Sequence, residues 1–142
     1  MDKITENLYI SKALALLDLP VDHEFDEVVS LSHRDHLGIE PPEPTTTGDR
    51  FVFPDGPHDY EIFEAAVDYT IESLEREDKV LVHCQAGVSR SAGICTAVIA
   101  VREGIDAEHA REKINESRPV IDPTPEIWKS AVQYIDDNTE SA

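Results

Sequence analysis

The stretch VLVHCQAGVSRSAG, residues 80–93, runs from an apolar segment into a cysteine, crosses a short loop, and enters a helix seven residues after that cysteine. Lys79 to His83 is brief and rich in Val and Leu, which predicts a strand. In such a strand-loop-helix unit, the loop N–H groups and the unbonded N–H groups of the first helical turn converge on one bound anion. Gly87 lets the backbone bend where a side chain would intrude. Arg90 adds a planar fork that pairs with two phosphoryl oxygens at once, a geometry lysine cannot reproduce. The same field acts on Cys84. An unperturbed thiol titrates at about 8.5, and a helix N-terminus or nearby cation brings it to roughly 3.5–7.5, so a thiolate is available at neutral pH. A nucleophile and a phosphate cradle therefore coincide, with Gln85, Ala86, Gly87, Val88 and Ser89 spanning the gap between Cys84 and Arg90.

Outward from this unit the chain alternates short apolar segments with helical ones. Leu8 to Ile10, Glu27 to Leu31 and Arg50 to Phe53 are predicted strands beside Lys79 to His83. The longest helix is predicted over Glu61 to Glu77, with Phe63, Val67, Ile71 and Leu74 on one face and Asp59 as N-cap. A second follows Arg90 and stops at Gly104, and a third is opened by Asp106 and runs to about Ser117. Thr124-Pro125 starts a fourth, proline costing little at a first helical position. Gly38 to Gly48, rich in proline and threonine, reads as an exposed loop. The expectation is an α/β single-domain sandwich over residues 1–142, with a central, mostly parallel sheet of four to five strands flanked by helices.

HCQAGVSRS resembles the His-Cys, five residues, Arg, Ser/Thr signature of the protein tyrosine phosphatases, and its AGVSRS variant resembles the dual-specificity subgroup. The likeness continues in ITENLYIS, in DEVVSLS and in RPVIDPTPEIWKSAVQYI, and so spans nearly the whole chain. The resemblance implies that Cys84 attacks phosphorus, Arg90 binds the equatorial oxygens, the Ser91 hydroxyl stabilises the departing Cys84 thiolate, and His83 braces the loop. It also implies an aspartate upstream that protonates the leaving group. FVFPDGPHDY offers Asp55 and Asp59. Asp55 lies in a Pro-Asp-Gly turn directly after a predicted strand, where its carboxylate can project over the sheet's end, whereas Asp59 suits the helix N-cap. Asp55 is the favoured acid. His58 reads as a solvated loop histidine, with a substrate contact as the alternative.

His33, Asp35 and His36 form a metal-like fragment with no further ligands at helical spacing, and they read as loop surface. No cofactor is expected, because phosphocysteine chemistry needs no metal. Cys95, four residues after Ser91 on an apolar helix, reads as a core thiol.

Composition bounds the partners. Thirty Asp and Glu against twelve Lys and Arg give a formal charge of −18, which repels nucleic acid. With 40% apolar residues in periodic segments the chain has material for a core, so the acid belongs to the surface. A dense carboxylate shell suits concentrated salt, and a halophilic, cytoplasmic protein is expected. No apolar stretch approaches the length of a membrane span, and two cysteines make no disulfide framework.

The leading function is hydrolysis of phosphoprotein monoesters, phosphotyrosine and in addition phosphoserine or phosphothreonine, through a phosphocysteine. The alternative is a catalytically weak phosphoprotein-binding module using the same loop. Rhodanese-like and arsenate-reductase-like loops also pair a cysteine with a later arginine, but they lack the upstream acid combined with AGVSRS.

Overall fold

The computed structural model describes residues 2–12, 25–31, 51, 53, 56–84 and 88–138. Its elements run β1 (Asp2–Lys3), β2 (Leu8–Lys12), β3 (Glu27–Ser30), α1 (Tyr60–Glu75), β4 (Val80–Cys84), α2 (Arg90–Glu103), α3 (Ala107–Ser117) and α4 (Pro125–Asn138). The sheet order is β1-β2-β4-β3. β4 lies between β2 and β3 and pairs with both in parallel, while β1 joins β2 antiparallel, so the sheet is mixed and mostly parallel as expected. An interior parallel strand is covered on both faces, which explains why all five residues of VLVHC are buried.

Helix boundaries follow their capping chemistry. Asp59 N-caps α1, its carboxylate accepting the Glu61 N–H. The predicted extension to Glu77 fails because Glu77 turns left-handed (φ 65°), and its N–H bonds Leu74 O while Asp78 N–H bonds Ser73 O. Those two bonds close the helix in a Schellman turn, with glutamate where glycine is usual. Gly104 ends α2 at φ 67°, and Asp106 opens α3 by accepting the His109 N–H at 2.8 Å.

Two features of the sheet differ from expectation. β1 is two residues long, too short for any period to show, and is tied in by Arg118 donating to Asp2 at 2.7 Å. Phe51 and Phe53, the described residues of the strand predicted at Arg50 to Phe53, lie in no strand. Both are buried, and Phe53 N–H reaches Leu31 O at 3.3 Å, so their apolar character reflects packing rather than ladder pairing. Arg50 and Val52 lie outside the described residues, as does the predicted Gly38 to Gly48 loop.

α2 is the centre of the molecule. Every residue from Arg90 to Ala100 is buried, because α2 meets β2 and β4, α1, α3 and α4 together. A helix enclosed on all sides has no polar face. Small residues allow that enclosure. A Cβ at Gly93 would sit 2.3 Å from Ile127 Cγ2 of α4, and β-branched Ile127 has few rotamers with which to yield. Gly93→Ala is therefore expected to cost about 1–3 kcal/mol through overpacking, seen as a lower midpoint in urea or thermal unfolding. An unchanged midpoint would show that α4 shifts without strain.

Candidate active site

The site forms where β4 ends and α2 begins, at the carboxyl edge of the parallel strands, the usual binding edge of open α/β sheets. β4 runs one residue beyond its predicted end, so the nucleophile candidate Cys84 is the strand's last residue, 2% exposed. His83 is fully buried, and in the strand register it stands between Ser11 and Ser30. Cys84 Sγ lies 3.2 Å from Ser91 Oγ in the first turn of α2, so the strand end and the helix start are side by side. Either atom can donate in this pair, and with a thiolate the donor is the Ser91 hydroxyl.

Among the described residues, Arg90 is the one buried side chain carrying a permanent charge, and no Asp or Glu is buried. Its Nη1 donates to Phe53 O at 2.7 Å, which turns one edge of the guanidinium toward the segment that holds the predicted acid. A buried charge is tolerated where its donors are satisfied, and Phe53 supplies part of that satisfaction. The first turn of α2 contains no acidic residue, so nothing there competes with an anion for the helix's positive end.

The loop's descending limb is pinned from outside. Ser89, the N-cap residue of α2, makes no side-chain cap bond to its own helix; its Oγ accepts the Thr124 N–H at 2.9 Å. Val88 O accepts the Asp122 N–H at 2.8 Å, so residues 122–124 buttress Val88 and Ser89 along two bonds. The sequence identified Thr124 only as a helix start; its bond to Ser89 joins residues 35 apart and leaves no local signal.

His58 departs from its predicted role as a solvated histidine. It is half-buried, its ring packed beside those of Phe53 and Phe63 at centroid distances of 5.1 and 5.9 Å, the two phenylalanines also meeting each other at 6.0 Å. Nδ1 lies 2.6 Å from Gly56 O and Nε2 lies 2.8 Å from Ser130 Oγ on α4. Asp55, Gln85, Ala86 and Gly87 lie outside the described residues, and so do His33, Asp35 and His36. Among the described residues no group of three His, Cys, Asp or Glu is placed to hold a metal ion, and no helix is long and apolar enough to cross a membrane.

Cys95 is fully buried, as expected for a core thiol, and burial, reinforced by the nearby Cys84, pushes its pKa well above the ordinary thiol range. That leaves it protonated and inert.

A cysteine closing a central parallel strand, with a buried arginine and a hydroxyl in the next helix's first turn, defines the class of cysteine-based phosphatases. The sequence profile described as "Dual specificity phosphatase, catalytic domain" matches residues 58–137, and the chain belongs to this family. Dual specificity protein phosphatase 4 of Gallus gallus is 36% identical over 72 residues, which cover 51% of this chain and 19% of that protein. The chain thus spans about a fifth of the length of that relative. Dual specificity protein phosphatase 18 of Bos taurus is 27% identical over 144 residues, covering 94% of this chain and 72% of the relative. Two human crystal structures share the fold. DUSP28 superposes with a TM-score of 0.73 at 21% identity, covering 96% of each chain. The tyrosine phosphatase-like serine/threonine/tyrosine-interacting protein gives a TM-score of 0.73 at 22% identity, again over 96% of each.

The burial of Cys95 yields a simple test. Iodoacetamide treatment of the native protein near neutral pH, followed by mass spectrometry, is expected to leave Cys95 unmodified and to label it only after denaturation. Native labelling at Cys95 would show that α2 opens locally.

Proposed function

We propose that this chain is a single catalytic domain that hydrolyses phosphate monoesters on proteins, phosphotyrosine and also phosphoserine or phosphothreonine, by two displacements through a phosphocysteine. The observation that carries this reading is the Cys84 Sγ to Ser91 Oγ contact of 3.2 Å across the strand-helix junction that also holds Arg90. The Cys84 thiolate attacks phosphorus, forming the S–P bond as the ester O–P bond breaks. Arg90 and the N–H groups of residues 85–90 hold the equatorial oxygens, where charge is stabilised without reorganisation. Asp55 gives its proton to the departing alkoxide or phenoxide. Water then attacks the phosphocysteine, Asp55 taking its proton, and the S–P bond breaks with the Ser91 hydroxyl donating to the thiolate that leaves. His83 braces the loop from beneath.

Residues 85–89 contain no Lys, Arg or His, which fits a singly phosphorylated side chain better than a multiply charged phosphate. A binding module without turnover would use the same loop and arginine, and the shared fold of a phosphatase-like interacting protein leaves that reading in play. A binder has no need of a thiol paired with a hydroxyl, and this favours the enzyme.

Hydrolysis of p-nitrophenyl phosphate with a chelator present separates the two. Wild type is expected to turn over and Cys84→Ser to be inert while still binding a phosphate analogue. Asp55→Asn is expected to lower kcat by about 10²–10⁴-fold, with a smaller loss for good leaving groups. The same signature from Asp59→Asn instead would transfer the acid role. A wild type that binds but never turns over would establish the binder.

Formal charge −18 also sets an expectation for salt and for the proposed halophilic cytoplasm. The screening length is about 30 Å at 0.01 M and about 3 Å at 1 M, so low salt leaves the whole carboxylate surface opposing a phosphate dianion. Both kcat/KM and the thermal midpoint are expected to rise as KCl increases from tens of millimolar to molar. A flat or falling profile in both removes the halophilic reading.

A further inference from the structure

The segment around the proposed acid is fastened at two points. Before it, Phe53 O accepts from Arg90 Nη1 at 2.7 Å. After it, Gly56 O faces His58 Nδ1 at 2.6 Å. A carbonyl has no proton to give, so Nδ1 carries the hydrogen, and in the neutral ring Nε2 accepts from the Ser130 hydroxyl at 2.8 Å. We infer that His58 is a positioning residue for the general acid, tying the chain at Gly56 to α4 through Ser130. This inference rests on the assignment of Asp55 as acid.

Three observations make His58 more than a local turn contact. Its imidazole packs at a tilt of 33° against Phe53 and 37° against Phe63, so the ring's orientation is restrained by packing as well as by its two bonds. Ser130 is 7% exposed, and the two partners lie 72 residues apart, so water competes little for the contact and the bond fixes tertiary position. α4 is itself located against α2, because Ile127, about one turn before Ser130, closes on Gly93, about one turn after Arg90. Both fasteners thus refer to the α2–α4 pair that carries the phosphate-binding arginine. A proton donor must meet the leaving oxygen within hydrogen-bond reach, and an error of about 1 Å costs roughly 10²-fold. Gly56 itself has φ 157°, which a side chain would strain, so this turn is not readily rebuilt in another form.

The test compares wild type, His58→Ala, His58→Asn, Ser130→Ala and Asp55→Asn, with the double variant H58A/D55N. Single-turnover or steady-state rates are measured on a phosphotyrosine peptide and on 2,4-dinitrophenyl phosphate, whose leaving group departs without a proton. His58→Ala and Ser130→Ala are expected to lose about 10- to 100-fold in kcat on phosphotyrosine, with KM little changed and the dinitrophenyl rate within about twofold of wild type. His58→Asn, which keeps a donor near Gly56 O but cannot reach Ser130, is expected to fall between. In the Asp55→Asn background His58→Ala should cost nothing further, since there is no acid left to position.

Equal losses on both substrates would overturn the inference by making His58 a support of the phosphate loop or the fold. Unchanged rates on both would overturn it by making the contact incidental, and so would a multiplicative loss in the double variant. If Asp55→Asn alone shows no leaving-group-dependent loss, the acid assignment fails and the positioning role falls with it. That outcome is distinct from a normal Asp55→Asn result beside a silent His58→Ala.

Discussion

A guanidinium in the core is the constraint around which the site is organised. Arg90 is 8% exposed at the first position of a helix that is buried on every side. Removing such a charge from water costs several kcal/mol unless donors and charge are both answered. The Phe53 carbonyl answers one donor; the positive end of α2 adds to the charge rather than cancelling it. The balance is a standing preference for an anion at this spot. The Cys84 thiol and the Ser91 hydroxyl meet at the same strand-helix junction, so under the proposed function that preference would favour a thiolate and the phosphoryl group it attacks.

The surrounding structure holds this arrangement by bonds that cross between elements. Val88 and Ser89 are held by Asp122 and Thr124, Phe53 by Leu31 and Arg90, and Gly56 by His58. The outer shell is electrostatically opposite. Carboxylates dominate it, and where they crowd α1 and α4 they are felt by the tyrosines: burial together with Glu64, Asp137 and Asp68 pushes Tyr60 up to about 12, and Tyr134 donates its hydroxyl to Asp68.

Local chemistry was legible in the sequence and distant pairing was not. Cys84, Arg90 and Ser91 lie within eight consecutive residues, so strand period, loop glycine and helix onset located them together. Asp59, Gly104 and Asp106 were legible as caps because a cap acts on its own helix. The misreadings share a physical origin. Phe51 and Phe53 look like strand because aromatic residues fill strands, yet the same residues fill cores without a ladder. His58 looks solvated because it follows the Pro-Asp-Gly-Pro turn, a loop by sequence, while its partner Ser130 carries no mark of pairing. β1 has too few residues to display alternation, and Glu77 occupies a left-handed position that its side chain does not advertise.

Enclosure of α2 has a consequence for how this protein can change over evolutionary time. Between Arg90 and Ala100 every residue is buried, so a substitution that changes volume there meets a neighbour and is felt. Residues such as Val120, 59% exposed beside the buttress at 122–124, meet none of that restraint. Change is therefore cheap at such exposed positions and costly along the interior helix, whatever the protein recognises.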